Sequence, residues 1–345
     1  MVFSAPIRLL ASLALITLYA CNGQTQSNPK PAPDSEILLT HHPVQETDGV
    51  VYFSYDQGLT WENKSEGLPS TTSIGLGGIA VSGNQLALIS KDSGLYYFKS
   101  QEDKWVPIST SKQLLEGNVG ALLFYHDRLY AGTQTKGVFY SEDNGHTWAT
   151  LNTGLDNVTI RKFAKIEDRL YVATNSGLYS YNDTSGRWEL EYGNGSLQVN
   201  GLTVFDGRIY MATSQGGFAS PIGEKDWKPI FSKGALHNIS SDDQAVSAMA
   251  YNELFSSYDQ GQTWQNIQGG LPSQLYTFNV VNVNHTLLAG QWDGIYRKDS
   301  ESGSWKLSST GLPEKLAIAN MQVYDNIIVV TGNERKLRDK MTTGK

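Results

Sequence analysis

Seven of the eight tryptophans of this 345-residue chain recur at near-regular intervals: Trp61, Trp105, Trp148, Trp188, Trp227, Trp264 and Trp305, in steps of 44, 43, 40, 39, 37 and 41. A period near forty residues marks a chain that repeats one supersecondary unit. The text between the tryptophans repeats as well. Leu129-Tyr130-Ala131-Gly132-Thr133 is followed by Gly137-Val138-Phe139-Tyr140-Ser141, Leu170-Tyr171-Val172-Ala173-Thr174 by Gly177-Leu178-Tyr179-Ser180, and Ile209-Tyr210-Met211-Ala212-Thr213 by Gly216-Gly217-Phe218. Each unit reads as strand, strand, glycine turn, strand, tight turn and a last strand carrying the tryptophan. Four strands of five or six residues with their turns fill about forty residues.

A lone four-stranded sheet leaves its faces unburied, and copies stacked around an axis solve this. The expected fold is therefore all-β: a single seven-bladed β-propeller of four-stranded antiparallel blades. Small residues in the second strands (Ala131, Gly132, Ala173, Ala212, Gly290) suit the crowded inner part of a blade. The run from Ile318 to Thr331 reads as the first half of a unit and Gly49 to Trp61 as a second half, so the chain ends are expected to share one blade. A short run, Ile37 to Thr40, competes with Ile327 to Thr331 for the second position in that blade, and the sequence leaves both open.

Composition agrees with a folded β protein and excludes several functions. Hydrophobic residues make up 39% and charged residues 18%, too apolar for a disordered chain. Lys+Arg 27 against Asp+Glu 34 gives a formal charge of -7, which offers no basic surface for nucleic acid. The single cysteine rules out an intrachain disulfide and a cysteine-built zinc site. No phosphate loop, nucleophile elbow or metal-spacing motif is present, so no cofactor is expected.

Three tight turns share one pattern: Ser54-Tyr55-Asp56-Gln57-Gly58-Leu59-Thr60-Trp61, Ser141-Glu142-Asp143-Asn144-Gly145-His146-Thr147-Trp148 and Ser257-Tyr258-Asp259-Gln260-Gly261-Gln262-Thr263-Trp264. They resemble the Asp-box, or bacterial neuraminidase repeat, S-x-D-x-G-x-T-W. Degenerate copies are expected at Trp188 and Trp305, where Gly186 and Gly303 survive. The chemistry read for the motif is structural. The aspartate accepts N–H groups of its own turn, the glycine supplies positive φ, and the tryptophan is expected to anchor the outer strand against the next blade. Replacing Asp143 is expected to cost stability and leave ligand binding intact.

The amino terminus reads as an address. Arg8 precedes an uncharged run, Leu9 to Leu18, too short to span a bilayer at about 1.5 Å per residue. A positive start, a short apolar stretch and small residues at its end read as an export signal. Leu18-Tyr19-Ala20-Cys21 resembles a bacterial lipobox, which implies lipidation of Cys21 and a mature charge of -8 once Arg8 is removed. The expected divisions are a signal peptide over 1–20, a polar, proline-containing tether over 21–36, the propeller over 37–331 and a polar tail over 332–345. Asn22 leans towards the outer membrane.

The Asp-box resemblance implies a family that holds sialidases, xyloglucan-degrading hydrolases, sortilin-type receptors and photosystem II assembly factors, so the site must decide. A sialidase needs three arginines around a carboxylate. Arg128, Arg169 and Arg208 occupy one repeat-equivalent surface position, and only Arg161 opens an inner strand at the axis. A glycosidase needs two carboxyl groups about 5–9.5 Å apart. The loop face opposite the tight turns is expected to carry Asp92, Glu116, Asp156, Glu253, Asp293, Glu314 and Glu334. One loop breaks the repeat, Gln291-Trp292-Asp293-Gly294, and holds the eighth tryptophan. Candidate ligand-binding residues are therefore Arg161, Asn200, His237, Glu253, Tyr276, Trp292 and Asp293. His41-His42 near Glu46 and Asp48 reads as a solvated linker rather than a metal site. The expectation is a monomeric, non-catalytic binding propeller with a protein or glycan partner and no nucleic acid. A secreted glycan hydrolase is the alternative.

Overall fold

The computed structural model describes residues 49–334 apart from 84, 92, 109–111, 252, 273–276, 300–302 and 325. Its described strands form seven four-stranded antiparallel sheets. Six blades are continuous in sequence, with innermost strands Ile74–Ser82, Val119–Tyr125, Ile160–Ile166, Val199–Phe205, Leu236–Ser241 and Thr277–Val283. We number these blades one to six. Blade seven is composite: Leu316–Tyr324 and Ile327–Glu334 supply its inner strands, and Val51–Ser54 and Glu62–Asn63 its outer ones. Val51 pairs with Thr331 and Ser54 with Ile328, so the ring is closed by strand pairing between distant parts of the chain. This settles the second position in favour of Ile327–Glu334, a strand that runs on past Thr331. Ile37 to Thr40 lies outside the described residues. A short helix, Lys112–Glu116, links blades one and two.

Alternation builds the core. Second strands such as Arg128–Thr133 and Arg169–Thr174 are buried along nearly their whole length, because blades cover both faces. Close stacking explains their small residues: a Cβ on Gly132 would lie 2.3 Å from Ile160 of blade three, and one on Gly290 2.7 Å from Ile318 of blade seven.

The seven repeating tryptophans all pack on the preceding blade, which reverses the expected direction of the contact. Trp188 of blade three joins Tyr130 and Val138 of blade two, and Trp305 of blade six joins Met249 and Leu254 of blade five. The indole N–H completes the staple. Trp105 donates to Lys64 O at 2.7 Å, Trp188 to Leu151 O at 2.7 Å, Trp264 to Ile230 O at 2.8 Å, Trp305 to Ile267 O at 2.7 Å and Trp61 to Ser308 Oγ at 2.8 Å, each on the preceding blade. Trp148 donates instead to Gly145 O of its own turn, and the Trp227 N–H is buried without a partner. An aromatic of this size removes about 150–250 Å² from water, roughly 4–6 kcal/mol at about 25 cal/mol per Å² as an upper bound.

A second repeated element lies on the other side of three of these seams. Gly67, Gly154 and Gly311 begin Gly-Leu turns at φ of +87°, +91° and +87°. A Cβ there would lie 2.1, 2.2 and 1.9 Å from the carbonyl oxygens of Trp105, Trp188 and Trp61, so only glycine lets the blades meet.

The bonded and unbonded indoles give a direct test. Trp188→Phe loses a part-buried hydrogen bond across the seam, whereas Trp227→Phe removes an unpaired donor. Chemical denaturation is expected to show Trp188→Phe as the more destabilising by about 1–2 kcal/mol. Equal losses would mean that packing alone makes the staple.

Candidate functional site

The three Ser-Asp-Gly-Thr-Trp turns join third to fourth strands on one rim of the ring, and their geometry is nearly identical. The serine hydroxyl donates to the aspartate Oδ1 at 2.8 Å in each, from Ser54 to Asp56, Ser141 to Asp143 and Ser257 to Asp259. The same serine oxygen accepts the N–H of Gly58, Gly145 and Gly261 at 2.8, 2.7 and 2.8 Å. The aspartate then takes both the N–H and the hydroxyl of Thr60, Thr147 or Thr263. Gly58, Gly145 and Gly261 lie at φ of +81°, +90° and +87°. Every aspartate oxygen is committed to its own turn. Gly186 and Gly303 belong to a different device: both lie at φ +65° and donate to the carbonyl four residues earlier, Asn182 O and Asp299 O. They close ordinary hairpins and do not reproduce the aspartate turn.

The same rim carries ties between neighbouring blades. His126 Nε2 meets Asp168 at 3.0 Å, His285 Nδ1 meets Asp243 at 3.2 Å and Asn284 donates to Asn326 at 3.0 Å. Arg128 pairs with Glu142 and lies over the Tyr140 ring, and Arg169 lies 3.8 Å from Glu191. These arginines open the second strands of successive blades.

The opposite face is built from the starts of the innermost strands and the turns between second and third strands. At its centre a cavity of about 730 Å³ runs between the innermost strands. Each of those strands carries a β-bulge near its start. The extra residues are Gly120, Arg161, Asn200, His237, Phe278 and Ala319 in blades two to seven, and residues 75–78 in blade one. A bulge bends the strand and leaves one residue unpaired. Arg161, Asn200 and His237 are thus equivalent positions on neighbouring blades, and all three line the cavity.

The next residue in each strand forms an inner belt that sequence reasoning missed. Asn279 donates to Ala319 O at 2.9 Å and Asn320 to Gly75 O at 2.9 Å, each bonding the bulge of the following blade. Asn200, a bulge residue, does the same to Leu236 O at 2.7 Å. Blade three carries Lys162 where blades five, six and seven carry Asn238, Asn279 and Asn320. Aligning the inner-strand starts in sequence would have exposed this column. Arg161 donates to Asn175 Oδ1 at 3.1 Å, and burial lowers the pKa of both Arg161 and Lys162. The Asn200 Oδ1 is buried without a partner.

Glu253, Trp292 and Asp293 stand away from this cavity, on the turns between second and third strands of blades five and six. Glu253 accepts from Asn266 at 3.2 Å and Asp293 from the Tyr296 hydroxyl at 3.1 Å. Burial, then the Asp293 carboxylate beside it, pushes Tyr296 up to about 12. Of the other expected carboxylates, Glu116 pairs with Lys136 at 3.0 Å and Asp156 accepts from Tyr179 at 3.4 Å. Tyr276, Asp92, Cys21 and the His41-His42 pair lie outside the described residues. Among the described residues the cavity lining holds no Asp or Glu.

Searches with family models and against curated proteins return no match. Solved structures do. YCF48 bound to D1 peptide matches at a TM-score of 0.62 with 11% identity, over 77% of this chain and 93% of that one. The GH74 enzyme of Niastella koreensis matches at a TM-score of 0.62 with 13% identity, over 81% of this chain and 53% of that one. The extracellular domain of the hybrid two component system BT4673 from B. thetaiotaomicron matches at 0.58 with 19% identity, over 73% of this chain and 37% of that one. The chain therefore spans about half of the enzyme and little over a third of the extracellular domain. At these identities the likeness shows the fold.

Hydrogen bonds from the threonine hydroxyl, then its N–H, hold Asp143 and Asp259 down to about 2, against an ordinary value of 3.8. A carboxyl group with a lowered folded pKa stabilises above its unfolded value and loses that contribution as pH falls towards the folded one. A D143N/D259N variant is expected to melt below the unsubstituted protein at neutral pH. The gap should close between about pH 4 and pH 2. A gap independent of pH in thermal melts would show that the carboxylate charge contributes nothing.

Proposed function

We propose that this chain is an exported bacterial lipoprotein, anchored through Cys21, whose Asp-box propeller is a non-catalytic binding module for a protein partner. One observation carries the reading: the described lining of the opening opposite the aspartate turns holds no carboxylate, and large apolar side chains stand exposed around it. Leu76 at the mouth and Tyr251 on blade five are each 62% exposed, and Trp292 on blade six is 38% exposed. Aromatic side chains on protruding turns around a polar centre suit a partner surface. The aspartates are spent on their turns, and the loop-face carboxylates Glu116, Asp156, Glu253 and Asp293 are each held by a local bond. The likeness to YCF48 bound to D1 peptide supports a propeller of this size acting by binding.

The likeness to a GH74 enzyme, and Trp292 beside Asp293, favour one second reading: glycan hydrolysis at the blade-six turn. Crosslinking and pull-down from native membranes is expected to capture a protein that a Y251A/W292A variant loses and a D143A variant retains. Hydrolysis of a glycan panel, abolished by D293A or E253A, would overturn the binding reading. Metabolic labelling with a radioactive fatty acid is expected to mark the unsubstituted protein and not C21S. An unlabelled, soluble wild-type protein would remove the anchor.

A further inference from the structure

The hub holds a cation that the fold does not require. Lys162 stands in the column where three other blades place asparagine, and asparagine there suffices to bond a neighbouring bulge. Lys162 is partly buried in the cavity wall, yet among the described residues no hydrogen bond or ion pair reaches its ammonium. Away from the axis, Lys64 is answered by Asp103 at 2.8 Å and by Glu62, Arg297 by Asp299, and Lys298 lies over the Trp305 ring, while the Arg208 Nε is buried without a partner outside the cavity. A withdrawn, unpaired charge costs free energy that a counter-charge recovers. No carboxylate of the described lining supplies one, in a chain whose net charge is -7.

The blades on either side leave room. Blade two places Gly120 and Ala121 at the two equivalent positions, and blade four places Asn200 and Gly201. A Cβ on Gly120 would meet nothing closer than 3.9 Å. Arg161, the adjoining bulge residue that also lines the cavity, spends one N–H on Asn175 and keeps further donors. His237 is the remaining titratable group of the described lining.

We propose that the hub is an anion site, in which Lys162 and Arg161 take a carboxylate or phosphate group presented by the ligand at the loop face. This deepens the binding reading above and rests on it for the identity of the ligand, though not for the anion chemistry. The group enters from the mouth, Arg161 engages it first, and Lys162 receives it where water is scarcer. Electrostatic attraction then persists against the net negative charge of the whole, because the local field at a lined cleft outweighs distant, screened charges.

The test uses the intact protein with its lysines reductively methylated in carbon-13 and two probes, citrate and inorganic phosphate. The Lys162 resonance, assigned by its absence from K162N, is expected to shift saturably with at least one probe. Citrate alone would assign a carboxylate and phosphate alone a phosphate. Calorimetry should give binding at least tenfold weaker in K162N and in R161Q, and unchanged in K165N, a lysine further along the same strand. K162N restores the residue of the sister blades, so its melting temperature is expected to equal or exceed that of the unsubstituted protein. No saturable shift, equal binding in K162N, or a K162N protein that melts well below the original would overturn the anion site. These probes need no partner, so failure to capture a protein leaves the anion result readable.

Discussion

The ring stands on the seam between successive blades, where a tryptophan of one blade packs against the outer part of the blade before it. A four-stranded sheet has two apolar faces and no means of covering either. The indole covers one, and at five of the seven seams its N–H also sets the spacing by reaching a carbonyl or hydroxyl at 2.7–2.8 Å on the preceding blade. At three seams a glycine on the preceding blade permits that approach, with the tryptophan backbone where a Cβ would stand. The last seam is made as the others are. Trp61 bonds Ser308, and Gly311 faces Trp61, so blade seven docks on blade six although its outer strands come from the other end of the propeller sequence. With one cysteine, no disulfide within the chain assists this closure. Pairing of Val51–Ser54 with Ile327–Glu334 and the Asn320 bonds to Gly75 and Thr331 take its place.

The two faces of the ring divide its tasks. On one, serine, aspartate, threonine and histidine satisfy each other or the backbone within a turn or across one seam. The grouping of Asp242, Asp243 and His285 belongs to this class: Asp242 accepts the N–H groups of Gln244 and Ala245, and Asp243 pairs with His285. On the other, turns of unequal sequence carry exposed apolar residues around a polar opening. Regularity on the first face reflects a requirement that each blade shares. Irregularity on the second shows that the fold makes no such demand there.

Much of the architecture was legible because it repeats. The tryptophan period gave the number of blades, and the half-units at the ends gave the composite blade. The direction of each staple was not legible, because one sequence position serves equally for contact with the blade before or after until strand twist and register are fixed. Gly186 and Gly303 misled for a related reason: a glycine near a tryptophan suits two different tight turns, and only the offset, two residues before Trp188 rather than three before Trp61, separates them. The Gly-Leu turns at Gly67, Gly154, Gly270 and Gly311 were visible as a repeat and were passed over. At the site, Arg161, Asn200 and His237 were placed at the axis from strand order alone, and the bulge explains why they coincide. Lys162 was missed because its meaning comes from the asparagines in other blades, a comparison along a column rather than along the chain.

The bulge also explains why the hub can differ from blade to blade without cost to the ring. An unpaired residue at the start of each innermost strand has no ladder partner whose side chain it must match. Glycine, arginine, asparagine, histidine, phenylalanine and alanine all occupy that place in blades two to seven, while the second strands behind them repeat one pattern, as in Leu129-Tyr130-Ala131, Leu170-Tyr171-Val172 and Ile209-Tyr210-Met211. Backbone geometry fixes where the side chain starts, and packing does not fix what it is. A sevenfold scaffold therefore concentrates its chemical freedom at the axis. Lys162 is the point where that freedom is used against local electrostatics, since a neutral amide serves the fold at the same position in three sister blades.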